Sequence, residues 1–260
     1  MEVHHHAHTE RNKWTHYFWE FLMLFLAVFA GFLAENLREQ KAEQHHAKEL
    51  AISFYSELKN DSIAIQNIQQ NRLKRDSSFT YLKGYFRDSS INSSSKTFAI
   101  HFNYAFVVFA TNLFEPNDAI LHQLINSGTL RYFKSTEIQK LTGDLSVAIA
   151  NVRTRNQFES NFLDMYILPY LIKHNDLEFF DQVNNRYKEL LVYALAKYEH
   201  SNEIIPFHFN KPDVFDKTES LNLTGSYQQR CLGTSIKQYA AYQELNAKLL
   251  EKLRGEYDLK

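Results

Sequence analysis

In a chain of 260 residues, 29 Lys plus Arg against 30 Asp plus Glu leave no net field that would draw nucleic acid. The single cysteine, Cys231, excludes an internal disulfide and any cysteine-based zinc site within one chain. Seven glycines and four prolines against 21 Phe and 15 Tyr favour long helices with aromatic packing.

Residues 1–16 form a His-rich tail containing His4, His5, His6, His8 and His16. Neutral imidazoles bind zinc, copper or nickel. His45 and His46 lie beyond the next segment and cannot join them within one chain. The tail reads as a disordered, weakly cationic segment at lipid headgroups, with no metal function and no cofactor.

Residues 17–34, Tyr17 to Ala34, hold one charge, Glu20, and no polar side chain from Phe21 onward. As a helix they span roughly 27 Å, close to the ~30 Å of a bilayer's hydrocarbon core. Three rivals are weaker. A core helix of a soluble domain would show a polar face. A cleaved signal peptide could end at Val28-Phe29-Ala30, but Arg11 and Lys13 are offset by Glu2 and Glu10. An interfacial helix also needs a polar face. The segment therefore reads as a single membrane-spanning helix. Trp14, Tyr17 and Trp19 cluster at its start, where amphipathic rings favour the headgroup level.

Glu20, Ala27, Gly31 and Ala34 are spaced seven, four and three apart and share one helical face. Small residues at this spacing let membrane helices approach closely. Glu20 on the same face is either an assembly or ion-coupling acid, or an interfacial carboxylate beside Trp14 and His16. Flanking charges nearly balance: Arg11 and Lys13 before the span, Arg38, Lys41 and Lys48 after it. A cytoplasmic N-terminus is the orientation adopted.

Residues 35–260 retain 27 charges of each sign and read as an α-helical bundle. From 35 to 88 one long helix is expected. Its apolar stripe includes Leu50, Phe54, Leu58, Ile65, Ile68, Arg72, Phe79, Leu82 and Phe86, widened by Ile63 and Leu73. Strict heptads are not evident, so bundle packing is preferred over a coiled-coil stalk. Ser89–Thr97 reads as a loop. Phe98–Phe114 reads as a buried helix. Asn117 is expected to cap a helix from Asp118, and Gly128 to end it in a left-handed turn. Ser135 should cap the next helix, with Glu137 in its first turn, running towards Pro169. A further helical stretch is expected over 173–202. Asn202–Ser226 reads as a long connection whose aromatic residues lie against the bundle. The last helix is expected over Ser235–Tyr257, with Ile236, Tyr239, Tyr242, Leu245, Leu249 and Leu253 inward.

Two motifs carry a resemblance. The span exits through Glu35, Asn36 and Glu39. The block Phe114–Leu130 has the pattern F-x-P-N-D-A-x-x-x-x-L-x-x-S-G-x-L. Together they resemble a family of single-span bacterial membrane proteins known only as a domain of unknown function. The resemblance implies an all-helical domain after the span. In a bacterial inner membrane, the orientation adopted above would put that domain in the periplasm. It implies no activity, ligand or catalytic residue.

No nucleotide loop, HExxH, serine elbow or dinucleotide fingerprint occurs. His101, His122, His174, His200 and His208 are scattered, none beside a carboxylate at metal-ligand spacing. Glu115 and Asp118 read as turn and cap residues. The expectation is an all-α, membrane-anchored, non-enzymatic protein: an interaction, scaffold, sensor or accessory subunit. Its partners would be the bilayer and a second copy or other membrane subunits. The alternative is an ion-coupled motor or transport component using Glu20.

Overall fold

The computed structural model describes residues 13–88, 95–210 and 215–259. His4, His5, His6 and His8, the Ser89–Ser94 part of the serine loop, and Pro212 lie outside them. The described residues are helical, with no strand among them. The chain divides into two compact units, 1–51 and 52–260.

Helix α1, Lys13–Asp88, begins in the first unit and ends in the second. No proline interrupts it, and Gly31 and Gly84 are its only glycines. In the first unit it carries the apolar stretch. The most apolar 18 residues average a hydropathy of 1.9, and none of them is buried.

The second unit is a bundle. Its core is α1 from Ile52 onward, α4 (Thr136–Phe162), and α8 (Lys217–Gly233) with α9 (Ala240–Tyr257). Buried or half-buried positions on α1 at 54, 58, 61, 65, 68, 72, 75, 79, 82 and 86 alternate by four and three, flanked by buried Tyr55, Glu57 and Ser78. A regular seam is therefore present after all. It was hidden because Asp61, Arg72 and Arg75 occupy three of its places. Ile63 and Leu73, expected inside, are exposed. On α4 the seam runs Ile138, Thr142, Leu145, Ile149, Val152, Asn156 and Glu159 with the same spacing.

Two π-turns shift this seam by one residue. Leu163–Ile167 joins α4 to α5 (Leu168–His174). Pro169 sits in the first turn of α5, so the proline does not end the helical run. The wider turn relieves the clash and the missing donor that a proline imposes on an α-helix. Thr234–Tyr239 joins α8 to α9. Tyr239, Tyr242 and Leu249 then face inward as expected, while Ile236 is exposed.

Helix α8 replaces the expected long connection over its second half. Asp216 caps it, Oδ1 accepting from the Thr218 and Glu219 amides at 2.7 and 3.1 Å. The polar run looked irregular, yet Ser220 and Thr224 are buried. Their hydroxyls donate one turn back, to Asp216 O at 2.8 Å and Ser220 O at 2.6 Å. Phe207 and Phe209, in the remaining connection, are buried against the bundle as expected.

Helix α2 (Lys96–Asn103) continues as a π-turn, Tyr104–Val108, so the helix stops short of Phe114. Helix α3 (Ala119–Asn126) follows, one residue later than expected, and Gly128 adopts φ 71° just beyond it. Ser135 caps α4, accepting from the Ile138 amide at 3.3 Å. The 173–202 stretch is two helices, α6 (Leu177–Tyr187) and α7 (Leu191–His200). Helix α3 lies against Glu57 of α1, while α2, α6 and α7 pack at the end where α1 finishes. An aromatic cluster holds this end: Phe98 and Phe102 each meet Phe207 and Phe209 with ring centroids 5.3–5.8 Å apart. Such pairs add about 0.5–1.5 kcal/mol each beyond their burial.

Candidate functional site

On the first unit, Glu20, Ala27, Gly31 and Ala34 lie on one side of α1 by helical geometry. All four are exposed. A methyl group added at Gly31 would meet no atom within 4 Å. Phe21, Phe25 and Phe29 stack along another side, centroids 6.3 and 5.9 Å apart. Small and aromatic faces are thus segregated. Glu20 Oε1 stands 3.1 Å from His16 Nε2, one turn back. Trp14, Tyr17 and Trp19 are exposed at the helix start.

The second unit encloses a polar seam that the sequence reading missed apart from Arg72. Arg72 Nη1 and Nη2 donate to Glu159 Oε1 and Oε2 at 3.1 and 2.9 Å, both residues buried. Burial pushes the Glu159 carboxyl up. The Arg72 charge and hydrogen bonds, with help from Thr234 and Arg75, outweigh that and hold it below the usual range. Tyr239 extends the network, donating to Asn156 Oδ1 at 2.9 Å and accepting from the Phe114 amide at 2.9 Å. Arg75 is buried three residues on, its Nε donating to Ala105 O at 2.8 Å. Its guanidinium lies 4.4 Å from the Tyr227 ring centre.

A second polar group lies nearer the start of this unit. Glu57 accepts from the Ile120 and Leu121 amides at 2.9 and 3.3 Å. Asp61 accepts from the Asn117 amide at 3.1 Å and from the Tyr242 hydroxyl at 2.5 Å. Two carboxylates of α1 therefore cap the start of α3 from another helix. Asn117, the expected cap, contributes only a 3.4 Å contact to the Ala119 amide.

The Glu115–Asp118 turn is held by Arg153, whose Nε and Nη1 donate to the two carboxylates at 2.7 and 2.6 Å. His122 also stands 2.9 Å from Asp118, correcting the expectation that no such histidine has a carboxylate beside it. Arg153 already holds that carboxylate. No three His, Cys, Asp or Glu side chains converge at metal-binding distance among the described residues.

A cleft of about 520 Å³ lies between α5 and the 208–210 segment, walled by Leu171, Ile172, Leu177 and Phe209. Its acid, Asp176, has both oxygens engaged by backbone: the Phe179 amide at 3.1 Å and the His208 amide at 2.7 Å. Asp176 therefore clamps the chain and has no oxygen free of backbone bonds.

Among the described residues, these features define an all-α protein with one helix long and apolar enough to cross a membrane, followed in the chain by a helical bundle. The chain matches no family model, no curated protein and no solved structure.

Proposed function

We propose that this is a single-span, membrane-anchored, non-enzymatic protein of a bacterial inner membrane. Its helical domain, on the periplasmic side, serves as an interaction, scaffold, sensor or accessory module. One observation carries the reading: no residue in the apolar window of α1 is buried. Exposed apolar area on this scale needs lipid or another helix to cover it. The Ala27, Gly31 and Ala34 face, with Glu20 at its start, supports a partner helix from a second copy or another subunit.

The test has two parts. Carbonate-washed native membranes should retain the intact chain, and detergent should release it. Crosslinking in those membranes should give a specific adduct that Gly31→Leu removes. Intact, uncleaved protein in the detergent-free soluble fraction overturns the anchor. An adduct pattern unchanged by Gly31→Leu overturns the helix-packing face. A Glu20→Gln variant that assembles normally but abolishes ion flux would favour the ion-coupled alternative.

A further inference from the structure

The second unit has an open cleft of about 660 Å³ lined by Lys83 of α1, Arg155 and Phe158 of α4, and Ser226, Gln229 and Arg230 of α8. Among the described residues, no Asp or Glu lines it. Ion pairs are common elsewhere in this unit, but among the described residues none reaches Lys83, Arg155 or Arg230. The Nε atoms of both arginines are buried without an acceptor.

The two guanidiniums are held in place by aromatic faces. Arg155 and Arg230 lie 5.0 and 4.6 Å from the centre of the same ring, Phe158. Arg230 also lies 4.5 Å from the Phe162 ring centre. These ring contacts restrict both side chains, so less of their freedom remains to be lost on binding. Aromatic faces stabilise a cation but do not neutralise it. Three like charges around one hollow repel each other, and an anion entering the cleft relieves that repulsion.

We propose that this cleft binds a phosphate monoester. Planar forks match the oxygens of a phosphate group, and a monoester carries about −1.5 to −2 charge at neutral pH. A carboxylate brings one charge and two oxygens against three cations, where a phosphate monoester brings nearly two charges and three free oxygens. Lys83 adds a point charge, and the Ser226 hydroxyl and Gln229 amide add neutral donors. The cleft is larger than a phosphate group alone, leaving room for the group esterified to it. Phe158, 44% exposed, is an apolar wall for that group. The same chemistry is presented by a soluble phosphate ester and by the headgroup of phosphatidic acid.

Titration calorimetry on the full chain in non-ionic detergent, at constant ionic strength, tests it with two probes: glycerol phosphate and short-chain phosphatidic acid. Saturable binding of either probe is expected, with phosphatidylcholine giving none. Arg155→Gln together with Arg230→Gln should weaken binding by about tenfold or more. Binding of both probes points to a soluble ester as sufficient. Binding of phosphatidic acid alone points to the lipid headgroup. Absence of saturable binding by either probe overturns the proposal, as does an unchanged affinity in the double variant. Should the double variant lose its thermal transition, Ser226→Trp provides the second arm. It fills the cleft from an exposed position, and undiminished binding there also overturns the proposal.

Discussion

Arg72 and Glu159 meet as a fork-to-fork pair across two helices, at 3.1 and 2.9 Å, with almost no exposure to water. Bringing two charges into a bundle core is costly, and the pair is tolerated because its geometry is bidentate and its neighbours are polar. Arg72 also donates to Cys231 O at 2.9 Å and to the Tyr239 hydroxyl at 3.2 Å. The pair thus joins α1, α4 and the α8–α9 run at one level.

Glu159→Ala should therefore destabilise the domain severely, by about 3–5 kcal/mol, because it strands Arg72 beside the equally buried Arg75. The double variant Arg72→Met with Glu159→Leu should cost clearly less than the sum of its single changes. Denaturant unfolding of Glu159→Ala, Arg72→Met, Glu159→Leu and the double variant, followed by helical circular dichroism, measures both. Additive costs would show that the two side chains are not coupled.

Stability should depend on pH with opposite signs at two buried acids. Burial raises the Glu57 carboxyl; the Ile120 and Leu121 amides pull it back, while Asp61 and Asp118 push it up, and it ends above its ordinary value. A carboxyl that holds its proton better in the fold contributes fully below its unfolded value of about 4.3. That contribution is lost as pH rises through the folded value. Glu159, held low, contributes above about 4.3 and loses it as pH falls through its folded value. The stability of the wild type relative to Glu57→Gln should thus fall with rising pH, and relative to Glu159→Gln it should rise. Thermal melts across the acid range, on all three proteins, give the two slopes. Parallel curves would remove the distinction.

Cys231 should be inert while the domain is folded. It is buried, and burial pushes its thiol up to about 11 although Arg75 pulls the other way. At pH 8 roughly one thiol in a thousand would then be ionised, against about a quarter in an unfolded chain. Alkylation of the native chain should be at least about a hundredfold slower than in denaturant. Comparable rates in the two conditions would mean that the α8 seam opens readily.

Much of this was legible before any coordinates. Local chemistry announced Ser135 as a cap and Gly128 as a left-handed turn, since each acts within a few residues of its own position. Apolar patterning announced the inward Phe54, Phe79, Tyr242 and Leu249. The same patterning failed at Ile63, Leu73 and Ile236, which are exposed, and at α8, where Ser220 and Thr224 hold core positions. Hydrophobicity marks which side chains water rejects. It is silent about polar ones whose hydrogen bonds are completed inside a helix.

An uninterrupted run of bulky apolar residues needs no partner to be recognised, so the sequence by itself determined the all-helical class and the span-length helix from Tyr17 to Ala34. The tertiary structure alone decided the partners of Glu57, Asp61, Arg72 and Arg75, and the gathering of Lys83, Arg155 and Arg230 around one hollow. Those groups come from helices tens of residues or more apart in the chain. A charge in a sequence carries its sign but not its neighbour, and only packing brings the neighbour within reach of Coulomb's law.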